Sequence, residues 1–151
     1  MHRLRNTLAA AMFAAMTHAA IADGVVVTPD TYIRAETDTA FAEFQRRAGG
    51  KIHTSAFVRE PALLADQPVI RMNRDTLYGS AVIDTAGGAT VTLPKADDGR
   101  YLSVLVLDND HYAPAVFYEP GTFQLPGDTR YVTLLYRVQL LDYADPDDVA
   151  A

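Results

Sequence analysis

The stretch LYGSAVIDTAGGATVTL, residues 77–93, decides the fold. Tyr78, Ser80 and Val82 alternate with Leu77, Ala81 and Ile83, and further on Ala89, Val91 and Leu93 alternate with Thr90 and Thr92. A period of two sends successive side chains to opposite faces, so both runs are expected to be strands, with Gly87-Gly88 as the turn between them. Asp97-Asp98-Gly99 supplies a second turn ahead of YLSVLVLD, residues 101–108. That run is apolar on both faces and is expected to be a strand covered on each side, the core of the sheet. Near the end, Val132, Leu134, Tyr136, Val138 and Leu140 form an apolar face opposed by Thr133, Arg137 and Gln139, which predicts a half-exposed strand. A simple up-down-up meander of the first three strands would put the start of the first and the end of the third at opposite ends. Continuation of residues 71–75 as strand, or pairing out of sequence order around a barrel, would bring them together.

Upstream, Thr28-Pro29-Asp30 reads as N-cap, proline at the first helical position and an acid in the first turn. Ile33, Thr37, Ala40, Phe41 and Phe44 then recur at helical spacing, predicting a helix over 29–47 that Gly49-Gly50 ends. Residues 51–68 contain Pro61 and Pro68 without a clean period and read as a connecting loop, with one short helix near Ala62 to Ala65. The tail, DYADPDDVAA, carries a helix-start signal at Asp145-Pro146 and stops before a helix can form. The expected fold is α+β: an N-terminal amphipathic helix packed on a predominantly antiparallel sheet curled towards a barrel or sandwich.

The first residues bear on compartment. Arg3 and Arg5 precede an apolar, alanine-rich run from Leu8 to Met16, and Ala20-Ile21-Ala22 is a small-x-small processing signal. Residues 1–22 are expected to be a signal peptide cleaved after Ala22, leaving residues 23–151 as a single exported domain, periplasmic or secreted. Cleavage removes two arginines and no acid, so 11 Lys and Arg face 19 Asp and Glu, a net charge of −8. An acidic surface excludes nucleic acid as a partner, because phosphates call for a basic face. No run reaches the roughly 20 apolar residues of a bilayer span, so no membrane insertion is expected after cleavage. The chain has no cysteine, which excludes disulfides and thiolate metal sites and leaves stability to the core.

Two polar clusters carry the candidate chemistry. The first is RMNRDTLY, residues 71–78, in which Arg71, Asn73, Arg74 and Asp75 precede the strand and Tyr78 lies within it. Two guanidiniums this close repel unless neutralised. Asp75 can pair with one, leaving the other for a carboxylate elsewhere in the fold or for an anionic ligand, which arginine's planar fork grips in two places. The competing reading is an internal ion-pair network fixing the entry to the sheet.

The second cluster, Asp108, Asp110, His111 and Tyr112, follows the central strand in LDNDHYAP. Once the leader is removed only His53 and His111 remain, and His111 with two acids nearby is the better candidate for general acid–base work. The competing reading is a surface turn in which an aspartate accepts backbone N–H bonds.

Three motifs linked to known chemistries come out against. Asp108, Asp110 and Glu119 occupy the first, third and twelfth places of a calcium loop, but Ala113 stands where the sharp turn needs glycine. Zinc at Asp108, Asp110 and His111 lacks a fourth ligand. Gly79-Ser80-Ala81 lacks the second glycine and the following helix of a nucleophile elbow. No cofactor and no metal are expected.

Three segments in this order and at these distances, VTPDTYIRAETD, RMNRDTLYGSAVID and TVTLPKADDGRYLSVLVLDNDHYAPAVFYEPGTF, resemble the bacterial exported proteins of the domain of unknown function 1254 family. The resemblance runs from Thr28 to Ala150. It implies a fold that often continues into a second, carboxy-terminal β-rich domain, and by that comparison this chain is expected to be a truncated form. The expected function is a binding or accessory module for a small anionic ligand or a partner's acidic group. The alternative is a hydrolase-like enzyme using His111 with Asp108 or Asp110. Because both clusters occur in the family pattern, they are expected to converge on one site.

Overall fold

The computed structural model describes residues 26–61, 63, 65, 71, 73–96, 99–142 and 144–150. The leader expected at 1–22, and residues 62 and 64 of the short helix expected near 62–65, lie outside the described residues. The chain is a mixed helix and antiparallel-sheet structure. In order it forms α1 (Tyr32–Arg47), β1 (Ala56–Val58), β2 (Thr76–Asp84), β3 (Thr90–Leu93), β4 (Leu102–Asp108), β5 (Ala115–Phe117), β6 (Gly121–Gln124), β7 (Tyr131–Gln139) and α2 (Pro146–Ala150).

The strands of the opening stretch form where their period places them, but they do not pair with each other. A five-stranded sheet has the order β1-β2-β7-β4-β5, and β3 leaves it to pair with β6 in a separate two-stranded ribbon. β2, β3 and β4 thus form no simple up-down-up meander. In the ribbon, Val91 and Leu93 of β3 are buried against the sheet's core while Thr90 and Thr92 are exposed, so the pairing is set by the surface on which the strand's dry face lies. The sheet does not close into a barrel, since β1 and β5 remain as edges among the described residues.

The centre of the sheet is β7, which pairs with β2 from Thr76↔Gln139 to Asp84↔Tyr131 and with β4 on its other side. Both of its edges are therefore hydrogen-bonded, and its Thr133 face is buried at Thr133 but opens towards Arg137. Thr133 is completely buried because its hydroxyl donates to the carbonyl of Ala81 at 3.0 Å, which satisfies the polar atom inside the sheet. One core joins sheet and ribbon: Ala81, Val104, Val106 and Leu134 from the sheet meet Val91 and Leu93 from the ribbon. Fully burying a side chain of this kind contributes about 1.5–3 kcal/mol. Phe117 and Phe123 stack at 4.4 Å on the flank of this core.

At the β1 edge the backbone is in close quarters. Gly79 pairs with Phe57, and a Cβ added there would stand 2.4 Å from Cδ1 of the Phe57 ring. Glycine lets that ring lie across the strand and reach Tyr136, 5.2 Å away between centroids.

Helix α1 begins at Tyr32, later than the predicted residue 29. Thr28 to Thr31 is taken up by a turn in which the Thr28 N–H donates to Thr31 Oγ1 at 2.9 Å. Thr37 and Phe41 are its buried residues. The helix ends as the glycine pair predicts: Gly49 and Gly50 adopt φ of 69° and 78°, and their N–H groups return to the carbonyls of Arg46 and Gln45.

The tail corrects a second expectation, because five residues do form α2. A helix this short is marginal in isolation, but here Asp148 anchors it. The Asp148 carboxylate accepts Arg100 at 2.6 Å and the N–H groups of Leu141 and Asp142 at 2.7 and 2.9 Å. Among the described residues no helix is long and apolar enough to cross a membrane.

Candidate functional site

The two polar clusters sit at opposite ends of the sheet. Thr76, at the start of β2, pairs with Gln139, whereas Asp108, at the end of β4, pairs with Val132. Those partners are seven residues apart along β7, about 23 Å at roughly 3.3 Å per residue. The expectation of one shared site is overturned. Both β2 and β4 run antiparallel to β7, hence parallel to each other, so the start of one cannot neighbour the end of the other.

At the β4 end, Asp108 is buried, and its Oδ1 accepts the N–H groups of Asp110 at 2.9 Å and Tyr112 at 2.8 Å. That arrangement closes a tight turn, helped by the left-handed backbone of His111 at φ 68°. Three side-chain pairs dock the turn on α1. Arg34 Nε donates to Asp110 Oδ1 at 2.9 Å, and Asn109 Nδ2 donates to Asp38 Oδ1 at 2.6 Å. The third joins Thr37 Oγ1 and His111 Nδ1 at 3.0 Å.

Proton counting assigns that third bond. Thr37 has one hydroxyl proton and gives it to the Ile33 carbonyl at 2.8 Å, so towards His111 it accepts, and Nδ1 carries the hydrogen. Among the described residues neither carboxylate bonds the His111 ring, and no group of three or more His, Asp or Glu could hold a metal ion. The acid–base trio drawn from sequence is thus distributed over three separate structural bonds. Tyr112 is 71% exposed beside it.

At the β2 end a groove of about 550 Å³ runs between the last turns of α1 and the β1-β2-β7 side of the sheet. Phe44, Ala56, Val58 and Leu135 supply apolar lining, and Glu60, Tyr78 and Arg137 supply polar lining. The Arg137 guanidinium lies over the Tyr78 ring, 5.9 Å from its centroid. Arg47, also at the groove, is paired with Glu43 at 2.9 Å, whereas Arg137 has no carboxylate partner among the described residues.

A second cavity of about 330 Å³ adjoins the groove, and Asn73, Thr76 and Arg137 line both. Its remaining lining includes Asp75, Gln139 and Tyr101. Asn73 and Thr76 are fixed locally, since Asn73 Nδ2 donates to Thr76 Oγ1 at 3.3 Å and Thr76 Oγ1 donates to Asp75 Oδ1 at 2.9 Å.

The first cluster is therefore divided. Asn73, Asp75 and Tyr78 face these cavities, Arg71 is exposed with φ 60°, and Arg74 is half-buried. Neither Arg71 nor Arg74 is among the lining residues. The cation that does face the groove is Arg137, which sequence reading placed only on a wetter strand face. Its signal was a lone charge between apolar Tyr136 and Val138; its meaning depends on the β2–β7 register, which sets it opposite Tyr78.

A larger cleft of about 670 Å³ lies along α1, lined in part by Asp38, Phe41, Gln45 and Asn109. Asp38 and Asn109 bond each other, Gln45 donates to the Gly50 carbonyl, and Lys51 and Tyr131 complete the polar lining.

Fold and site together define a mixed helix and antiparallel-sheet domain with a largely apolar groove, bordered by Arg137 and Glu60, at one end of its sheet. Residues 53–123 match the model of the family described as protein of unknown function (DUF1254). The matched segment contains both polar clusters and strands β1 to β5. Among solved structures, the VPA0106 protein from Vibrio parahaemolyticus is similar, with 20% identity and a TM-score of 0.55 over 79% of this chain. The likeness is one of fold, and the chain spans about a third of that protein's length (33%). No curated protein matches.

Proposed function

We propose that this protein is a binding module for a small anionic ligand with an apolar body, seated in the groove between α1 and the β1-β2-β7 side of the sheet. The observation that supports it is Arg137, a guanidinium without a carboxylate partner among the described residues, held over Tyr78 at the side of an apolar groove. A groove of about 550 Å³ falls within the range of roughly 300–1,000 Å³ usual for small-ligand sites. Asn73 and Tyr78 are assigned contact roles here. Arg71 and Arg74 contribute positive potential near the entry to β2, and Tyr112, at the far end, is not part of this site. The hydrolase-like alternative gains no support, because Asp108 and Asp110 are occupied in building and docking their turn.

Thermal unfolding of the protein with and without an apolar carboxylate, 3-phenylpropanoate at millimolar concentration, tests the reading. A ligand that binds the native state raises the melting temperature by mass action. The expected result is a shift that Arg137→Gln abolishes and Arg71→Gln leaves largely in place. Equal shifts in wild type and Arg137→Gln would refute the assignment.

The protein is further proposed to be exported as residues 23–151, a single domain. Mass measurement of the extracytoplasmic fraction tests this: a chain beginning at Asp23 supports it, and a retained leader contradicts it.

A further inference from the structure

Asp75 and Arg137 line the same cavity of about 330 Å³ and carry opposite charges, yet they form no ion pair with each other. Opposite charges that share a small cavity without pairing leave room for a ligand carrying both complements. Asp75 spends one carboxylate oxygen on the Thr76 hydroxyl and makes no ion pair among the described residues, so it retains acceptor capacity. Gln139 spends its carbonyl oxygen on the Tyr101 N–H at 3.1 Å, which orients the amide and leaves its two N–H donors for the cavity. The cavity thus presents a cation and an amide donor for a carboxylate, and a carboxylate for an ammonium. The apolar groove joins it at Arg137, Asn73 and Thr76.

We infer that the ligand is a free α-amino acid with a large apolar side chain. Its carboxylate would bond Arg137 and Gln139, its ammonium Asp75, and its side chain would enter the groove towards Phe44, Val58 and Leu135. This rests on the anion-binding reading above and deepens it, because a simple carboxylate leaves Asp75 uncompensated beside the ligand's own negative charge. Arg137 stands where the two compartments meet, as a group holding the carboxylate between head and side chain must.

Isothermal titration of the protein with L-phenylalanine, 3-phenylpropanoate and 2-phenylethylamine separates the two levels, since the second lacks the ammonium and the third lacks the carboxylate. L-phenylalanine is expected to bind about tenfold or more tightly than either, the size of one charge-assisted hydrogen bond. Asp75→Asn keeps the oxygen that Thr76 uses, and it is expected to bring L-phenylalanine and 3-phenylpropanoate within about threefold of each other. An unchanged melting temperature for the unliganded variant excludes misfolding as the cause. If 3-phenylpropanoate binds as tightly as L-phenylalanine in wild type, or if Asp75→Asn leaves the gap intact, the amino-acid inference is overturned while the anion site stands. If none of the three binds, both are overturned.

Discussion

Replacing Asp108 by alanine tests whether the DNDHY turn is a scaffold element. The Asp108 side chain is 5% exposed, and one oxygen takes two backbone N–H groups, those of Asp110 and Tyr112. A hydrogen bond to a charged group contributes about 1.5–3 kcal/mol, and a buried donor left unsatisfied costs about 1–3 kcal/mol. The two bonds share an acceptor and are not additive, and water can reach part of the opened turn. Asp108→Ala should therefore destabilise by about 3 kcal/mol, a large share of a typical domain's 5–15 kcal/mol. Asp108→Asn retains an oxygen at the same place and loses only the charge, so about 1 kcal/mol is expected. Urea denaturation measures both, with an unchanged slope showing that native-state stability is what moved. A loss under about 1 kcal/mol for alanine, or asparagine as damaging as alanine, would mean that the carboxylate does not hold the turn.

The two helix phenylalanines should behave differently. Phe41 is buried, so Phe41→Ala should cost about 3–5 kcal/mol, whereas half-buried Phe44 lines the groove, and Phe44→Ala should cost roughly half as much while weakening ligand binding. Equal losses in denaturation would show the helix face misassigned. On the pH axis, the backbone N–H of Asp142, then that of Leu141 and the Arg100 guanidinium, hold the Asp148 carboxyl below its ordinary range. Arg46 and Arg47 hold Glu43 down at about 2. A depressed carboxylate contributes stability that is present above its unfolded value and lost as pH falls through its folded value. Melting temperature should thus decline from about pH 4 downwards, and Asp148→Asn should flatten that decline; parallel wild-type and variant curves would remove Asp148 from the account.

The sequence by itself determined the local elements, because their causes are local. Alternation in residues 77–84 and 90–93 depends on the two-residue period of a strand, and Gly49-Gly50 stops α1 because glycine reaches positive φ without a Cβ penalty. Even the competing reading of Asp108, as acceptor of its own turn's N–H groups, was legible, since such turns span only a few residues. Which strands pair was not legible. Nothing within β3 says that Gly87-Gly88 leads away from β2 to a partner some thirty residues on, or that β7 occupies the middle of the sheet. Those choices minimise exposed apolar area over the whole chain, a sum no local window contains. They carry the functional consequence: one register separates the two polar clusters, and the same register lays Arg137 beside Tyr78 and gathers Asn73 and Asp75 around it. Residue types announced that charge would concentrate at the entry to β2, while only tertiary pairing decided which cation meets the groove.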